Sequence, residues 1–376
     1  MRVALNLVYL VPRETGGMEV YARELLPRLA GIPGLDPVAI VNEAAAADRD
    51  APWNTTVRSV VAPVDARDRK QWVWGEQRHV PRLARGERAD LVHSLASTGP
   101  ARLAGGPPRV TTVHDLHYAV APNAHFGLRA LGMRLLVPAA VRASRRVITP
   151  SESTKRDVVR LIGAAADSVD VIPMATTPPG AAADATDARE LRDRLRLGKR
   201  QVLLSLAAKR PHKNVEGLID ALALIPSERR PVLVVPGYAT EHEVSLLARA
   251  ADRGVAESLC FPGWLSDRDV EGLWRLADAH VFASFYEGFG LPVLEAMSRG
   301  VPGACSDRAS MPEVLGDAGL LFDPSDARAI ATAVERLLGE PELRDRLKMA
   351  GVRRAAEFSW ARTAESTAEV YAHALA

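Results

Sequence analysis

A chain of 376 residues with 47% hydrophobic and 25% charged residues has room for two domains with separate cores, and it excludes a disordered chain. No window approaches the roughly eighteen consecutive apolar residues of a membrane span. The two cysteines, Cys260 and Cys305, sit in apolar strand-like contexts without neighbouring ligand residues, which speaks against a zinc site or a disulfide framework. A net charge of +2 is too small an excess to argue for nucleic acid, but it is uneven: residues 1–175 hold 23 Lys and Arg against 17 Asp and Glu, the remainder 25 against 29.

The apolar run Val3 to Leu10 reads as a first strand, and without a small-residue cleavage site after it a cytosolic protein is expected, one that binds no nucleic acid. Gly16 and Gly17 follow, then a helical pattern at Met18, Tyr21, Ala22, Leu25 and Leu29 that Pro27 is expected to kink or shorten. Further strands fit Val38–Val41, Arg58–Ala62, Leu91–Leu95, Val110–Val113, Arg146–Thr149 and Val169–Ile172, with helical patterns between several of them. That alternation predicts a mostly parallel, doubly wound α/β sheet, whose ligands bind at the carboxyl ends of the strands. His114, just past one such end in VHDLH, is a candidate for the site.

Composition changes abruptly after Pro173. The stretch 176–197 begins rich in Ala, Thr, Pro and Gly, reads as an interdomain linker, and ends in helix formers. A second series of strands and helices then opens with VLLSL. Lys209-Arg210-Pro211-His212-Lys213-Asn214 follows at that strand's carboxyl end, ahead of a helix Val215–Leu224. Such a cluster suits two phosphate groups or is a solvated basic turn. Beyond it lie a strand Val232–Val235, Gly237-Tyr238, a helix through Ala250, a strand Ser258–Phe261, and Gly263-Trp264-Leu265. Ser266-x-x-Asp269 is a capping box for a helix Val270–Leu276. Trp264 has two readings, core aromatic or part of a binding edge.

The chain is organised around Ala279 to Pro302. A buried strand Ala279–Tyr286 is expected, then a bend at Gly288, Phe289 and Gly290, then a helix Pro292–Arg299 closed by Gly300. Strand, glycine-rich loop and helix N-terminus make an anion site. Glu287 and Glu295 flank it, and two carboxylates beside an anion site make sense if they accept hydrogen bonds from neutral hydroxyls. A sugar joined to a nucleoside through a diphosphate offers that pattern. A strand Leu320–Phe322 and helices Ala327–Leu338, Glu342–Glu357 and 358–376 complete the chain.

Glu287-Gly-Phe-Gly-Leu-Pro-Val-Leu-Glu295 resembles the Glu-x7-Glu motif of the retaining glycosyltransferases of family 4, and the following EAMSRGVPGACSDRASMPEVLGDAGLLFDPSD is similar to that family's continuation. The resemblance implies the GT-B fold: two Rossmann-like doubly wound domains facing a central cleft. It implies an acceptor domain over residues 1–175, a linker over 176–197, a donor domain over 198–357, and a last helix 358–376 returning to the first domain. It implies transfer of a hexose from a nucleotide diphosphate sugar to a hydroxyl acceptor, with no cofactor; with no Asp-x-Asp at a strand end and no His cluster of metal-ligand spacing, the phosphates are expected to be neutralised by protein groups without a metal. In the roles it carries over, Glu287 fixes the hydroxyls of the sugar, His114 donates a hydrogen bond to it, and Lys213 neutralises the leaving diphosphate. Gly16 and Gly17 approach the donor phosphate, as do the amides of Gly288, Phe289, Gly290 and Leu291. Glu295 binds the ribose, and the backbone at Trp264 and Leu265 the nucleobase. The family's usual arginine before the lysine is replaced here by Ala207 or Ala208, so Arg210 is the substitute candidate, with Lys209 beside it. SLAAKRPHKN is similar to a stretch in mannosyltransferases, which makes GDP-mannose the first choice of donor, with a UDP-sugar as the other.

Two other functions fit the same residues: a nucleotide-sugar epimerase of this fold, and a non-catalytic nucleotide-sugar-binding partner subunit. The acceptor side rests on seven cations, Arg67, Arg69, Lys70, Arg78, Arg82, Arg85 and Arg88, around Trp72 and Trp74. Cations interleaved with indoles suit an anionic membrane surface and a lipid-linked acceptor. Val73, Val80 and Leu83 on one helical face, with the arginines as its solvated side, give the plainer alternative.

Overall fold

In the computed structural model, which describes residues 1–101, 106–120, 128–177 and 185–376, every strand pair is parallel and the strands form two sheets. The chain divides between them into one unit of Met1–Met174 with Ser359–Ala376 and another of Ala175–Phe358. Parallel strands are covered on both faces, which is why these segments read as short, nearly unbroken apolar runs.

The first unit contains β1 (Arg2–Leu7), β2 (Asp36–Val41), β3 (Arg58–Val61), β4 (Leu91–Ser94), β5 (Arg109–Thr112), β6 (Arg146–Thr149) and β7 (Val169–Val171), in the order β3-β2-β1-β4-β5-β6-β7. The order reverses direction between β1 and β4, so the loops leaving neighbouring strands diverge there and open a crevice. The last helix, Trp360–Leu375, packs against the helix Gly17–Ala30 and against β5 and β6. A buried polar chain fixes it. Tyr371 Oη lies 2.7 Å from His93 Nδ1, and His93 Nε2 lies 2.8 Å from Thr112 Oγ1. Burial holds the His93 imidazole neutral, with its pKa lowered to about 3.

The second unit contains β8 (Val202–Leu204), β9 (Val232–Val234), β10 (Leu259–Cys260), β11 (Ala279–Phe282), β12 (Gly303–Ser306) and β13 (Leu320–Phe322), in the order β10-β9-β8-β11-β12-β13. Strand alternation sorts its side chains into two cores. Leu203, Leu233 and Val281 meet the helices Val215–Leu224 and Ala327–Gly339 on one face, and Val202, Leu204 and Val234 meet Leu273 and Trp274 on the other. The reversal of strand order lies between β8 and β11.

Several local expectations change. β1 stops at Leu7, where pairing to β2 ends, and a turn follows in which Leu10 N–H donates to Leu7 O. β11 stops at Phe282 because β12 pairs with it no further, which leaves 283–290 as loop rather than strand. Pro27 does not shorten its helix, which runs Gly17–Ala30; the residue falls in the last turn, where few later bonds depend on it. The helix formers at the end of the predicted linker make a helix Ala188–Arg194 whose Leu191 is buried in the second unit's core. Residues 178–184 of that linker lie outside the described residues. The Trp-rich segment is not one regular helix: a π turn, Gly75–His79, joins Arg69–Trp74 to Val80–Gly86.

Removing the hydroxyl that holds the last helix strands a buried acceptor or donor on His93. Tyr371→Phe should therefore cost about 1–3 kcal/mol of stability in urea unfolding monitored at the tryptophans. An unchanged midpoint would show that the His93 bond contributes nothing.

Candidate active site

The second unit's reversal point brings together the loops after β8 and β11, and it is here that the two strongest sequence candidates meet. After β8 a turn of 3-10 helix, Pro211–Lys213, is stopped by Asn214 in a left-handed conformation (φ 55°). The Asn214 side chain accepts from Gly217 N–H at 3.1 Å, capping the next helix, and donates to Pro324 O at 2.7 Å. Phe285 N–H donates to His212 O at 2.9 Å, clamping the two loops to each other. Lys213 Nζ then lies 2.5 Å from Glu287 Oε1, both side chains largely buried, with the ammonium 5.3 Å from the centre of the Phe282 ring. The two residues that the sequence assigned to phosphate and to sugar thus form one ion pair, and the ammonium keeps further N–H donors for a ligand.

Beyond Glu287, Gly290 adopts φ 118°, and a side chain there would collide with the Cε of Met311. The helix Leu291–Ser298 follows with Pro292 in its first turn. Among the described residues no backbone or side-chain acceptor takes the N–H groups of Phe289, Gly290 or Leu291. Ser310, which sequence reasoning passed over, holds this loop in shape: its Oγ lies 2.9 Å from Glu287 O and 2.6 Å from Phe289 O. One turn into the helix, burial, reinforced by nearby Glu271 and opposed by Arg299, pushes the Glu295 carboxyl up to about 7.

The remaining cations separate. Lys209 is not a phosphate ligand: it is buried, with Nζ 2.8 Å from Gly237 O and 3.2 Å from Glu243 Oε2. Arg210 is exposed. Trp264 is not a core aromatic. It is 59% exposed and stacks on Tyr238, itself 57% exposed, with ring centres 4.4 Å apart and planes at 15°. Leu265 packs against the core below.

In the first unit, the loop after β1 is built around Thr15, whose Oγ1 both accepts from Val11 N–H and donates to Val11 O, each at 2.8 Å. Gly16 follows at φ 62°, ψ −134°, open only to glycine, and starts the helix with Gly17. His114, after β5, rests edge-on against Tyr21 with ring centres 5.0 Å apart. Its Nε2 lies 2.7 Å from Leu95 O. A carbonyl only accepts, so Nε2 carries the proton, and burial lowers the imidazole pKa. In the neutral ring Nδ1 is then an acceptor, which corrects the donor role expected for His114. Asn6 of β1, Glu76 of the π turn and Thr98 beyond β4 form a cluster that sequence reasoning did not single out. Buried Glu76 Oε1 accepts from Asn6 Nδ2 at 3.2 Å and from Thr98 Oγ1 at 3.1 Å, and burial pushes its carboxyl up to about 7. An asparagine inside an apolar strand was the available signal.

Comparison with known proteins agrees with this arrangement. Residues 187–354 match the family described as glycosyl transferases group 1, and residues 15–176 match glycosyltransferase family 4. The chain is similar to O-antigen chain mannosyltransferase B of Escherichia coli, 32% identical over 70% of this chain and 69% of that protein. It is also 35% identical over 60% of its length to the serotype-specific mannosyltransferase WbdA of Escherichia coli, where it spans only 28% of the longer protein. The structure of HepE from Anabaena in complex with UDP and glucose superposes with a TM-score of 0.76 at 18% identity, covering 99% of each chain, which establishes a shared fold. With its parallel-sheet units, its Glu-x7-Glu loop and these relatives, the chain belongs to glycosyltransferase family 4 and has the GT-B fold.

Proposed function

We propose that this glycosyltransferase transfers mannose from GDP-mannose to a hydroxyl acceptor with retention at the anomeric carbon. The epimerase and the non-catalytic subunit gain nothing from relatives named as transferases. The carrying observation is the Lys213–Glu287 pair beside the unpaired amides at the start of the helix Leu291–Ser298. The ammonium and the helix N-terminus stabilise the charge that grows on the leaving diphosphate, while the free oxygen of Glu287 accepts from hydroxyls of the sugar. That phosphate takes the acceptor's proton on the same face, so no separate base is required. His114 Nδ1 accepts from a further hydroxyl, and Glu295 accepts from the ribose. The stacked Tyr238–Trp264 pair, with the backbone at Trp264 and Leu265, supports the nucleobase. Arg210 and the glycine turn at Gly16 and Gly17 serve the phosphates.

The mannosyltransferase relatives favour mannose and hence GDP, whereas the UDP and glucose bound by HepE favour the alternative base. We assign phosphate neutralisation to Lys213 and the helix N-terminus, without a metal ion. No described helix is long and apolar enough to cross a membrane. Exposed Arg78, Arg82, Arg85 and Arg88, with Trp74 54% exposed, support a cytosolic enzyme that rests peripherally on the anionic inner face of a membrane.

Thermal unfolding with GDP, UDP, ADP and dTDP in the presence of EDTA tests the donor. A ligand at a hundredfold excess over its dissociation constant stabilises by about 2.7 kcal/mol, so GDP should raise the midpoint alone. A shift with UDP alone, or a shift that requires magnesium, would refute the GDP or the metal-free assignment respectively.

The pH dependence of GDP binding tests Glu295. Its pKa is raised in the free fold, so its contribution to stability is greatest below the ordinary carboxylate range and is lost as pH rises through about 7. Ribose hydroxyls donate to the ionised form, so binding expels a proton and affinity should strengthen from about pH 6 to pH 8. Glu295→Gln should remove that part of the pH dependence; identical profiles for the two proteins would take Glu295 away from the ribose.

A further inference from the structure

The first unit contains a cavity of about 1130 Å³ that none of the donor chemistry uses. It opens beside the loop after β1, between that loop, the helix Arg69–Trp74 and the helix Leu128–Arg142. Its walls are mainly carbon: Tyr9, Trp72, Val73, Met133, Leu135 and Leu136. Leu135 is 68% exposed, an unusual surplus of apolar surface for a site meant to hold sugar alone. A polyhydroxyl acceptor needs a polar partner for every hydroxyl it buries against that wall, and the polar side chains of the lining are Glu14, Thr15, Arg67, Arg69, Lys70 and Gln77.

Charge sits at one side of the cavity. Arg67 is engaged by Glu14 at 2.7 Å, while Arg69 and Lys70 are exposed in the first turn of their helix and form no ion pair among the described residues. Three cations against one carboxylate leave the lining positive. The volume exceeds the roughly 300–1,000 Å³ that encloses a drug-sized ligand. It is a concave place for one molecule, distinct from the exposed arginines Arg78, Arg82 and Arg85 that suit a flat bilayer.

We propose that this groove binds the lipid-phosphate carrier of the hydroxyl-bearing acceptor, with its hydrocarbon chain along Trp72, Met133 and Leu136 and its phosphate on Arg69 and Lys70. The inference rests on the glycosyltransferase reading and names the acceptor class for it. Bidentate guanidinium and the lysine ammonium fix the anion, and the apolar wall takes up the chain that water rejects. Thr15, at the same cavity, directly precedes Gly16, so the phosphate end of such a molecule lies near the carboxyl end of β1.

Farnesyl phosphate is the probe, with farnesol and inorganic phosphate as its two halves, titrated into the full-length protein while tryptophan fluorescence is recorded. Farnesyl phosphate should give a saturable change that Trp72→Phe diminishes. Farnesol should bind at least about tenfold more weakly, a difference of about 1.4 kcal/mol, and inorganic phosphate should give no change. The double substitution Arg69→Gln and Lys70→Gln should erase the advantage of the phosphate. Leu135→Asp, at an exposed position, should weaken farnesyl phosphate and farnesol together without altering the circular dichroism. Equal binding of farnesol and farnesyl phosphate, or binding only to anionic phosphatidylglycerol vesicles, would overturn the proposal. Nucleoside diphosphate binding is measured on the same preparations. A protein that binds the nucleotide but not farnesyl phosphate refutes the groove alone; one that binds neither refutes the glycosyltransferase reading as well.

Discussion

The ion pair between Lys213 and Glu287 is the constraint on which the second unit's site depends. It joins loops from β8 and β11, strands far apart in sequence that become neighbours only because the sheet reverses its order between them. Each loop is braced from outside the pair, one by Asn214 on Pro324 and the other by Ser310 on two carbonyls. A buried charge without its partner is expensive, so the pair commits both loops to one arrangement before a ligand arrives. Preorganisation of this kind is what a developing charge on a diphosphate requires, since dipoles already aligned need no reorganisation during reaction.

The first unit uses neutral polar groups for a similar end. His93 is too deeply buried to ionise and ties the last helix to β4 and β5 through Tyr371 and Thr112. Tyr21 lies 3.4 Å from that same Thr112 and supports the edge of His114. The imidazole of His114 is thereby set with its proton on Leu95 O and its other nitrogen free of that bond. The return of the last helix to this unit accordingly shapes the position of a candidate site residue and does more than cover a sheet face.

Much of this was legible in the residues. Short apolar runs separated by helical patterns specify parallel sheets, because both faces of each strand must be buried. The Glu-x7-Glu loop carries its glycines, proline and two acids within one short segment, where local rules operate. What was hidden depended on distant partners. Nothing near Lys209 says that its ammonium turns inward to Gly237 and Glu243 rather than outward with Arg210. β11 ends at Phe282, where its pairing with β12 ends, although apolar residues continue past it. Trp264 looked equally suited to a core, and only the fold places it on the surface against Tyr238. Ser310 is one serine among many until its two carbonyl partners are seen.

The measurement that bears most directly on the central claim is a double-mutant cycle on sugar transfer. The values of kcat/KM for the wild type, Lys213→Ala, Glu287→Gln and the double variant report whether the two side chains act as one device. Loss of a preorganised charge donor costs on the order of 100-fold. The account predicts that each single substitution loses at least that much and that the double variant is hardly worse than the poorer single. Fully additive losses would contradict it, because they would mean that Lys213 and Glu287 serve the substrate independently.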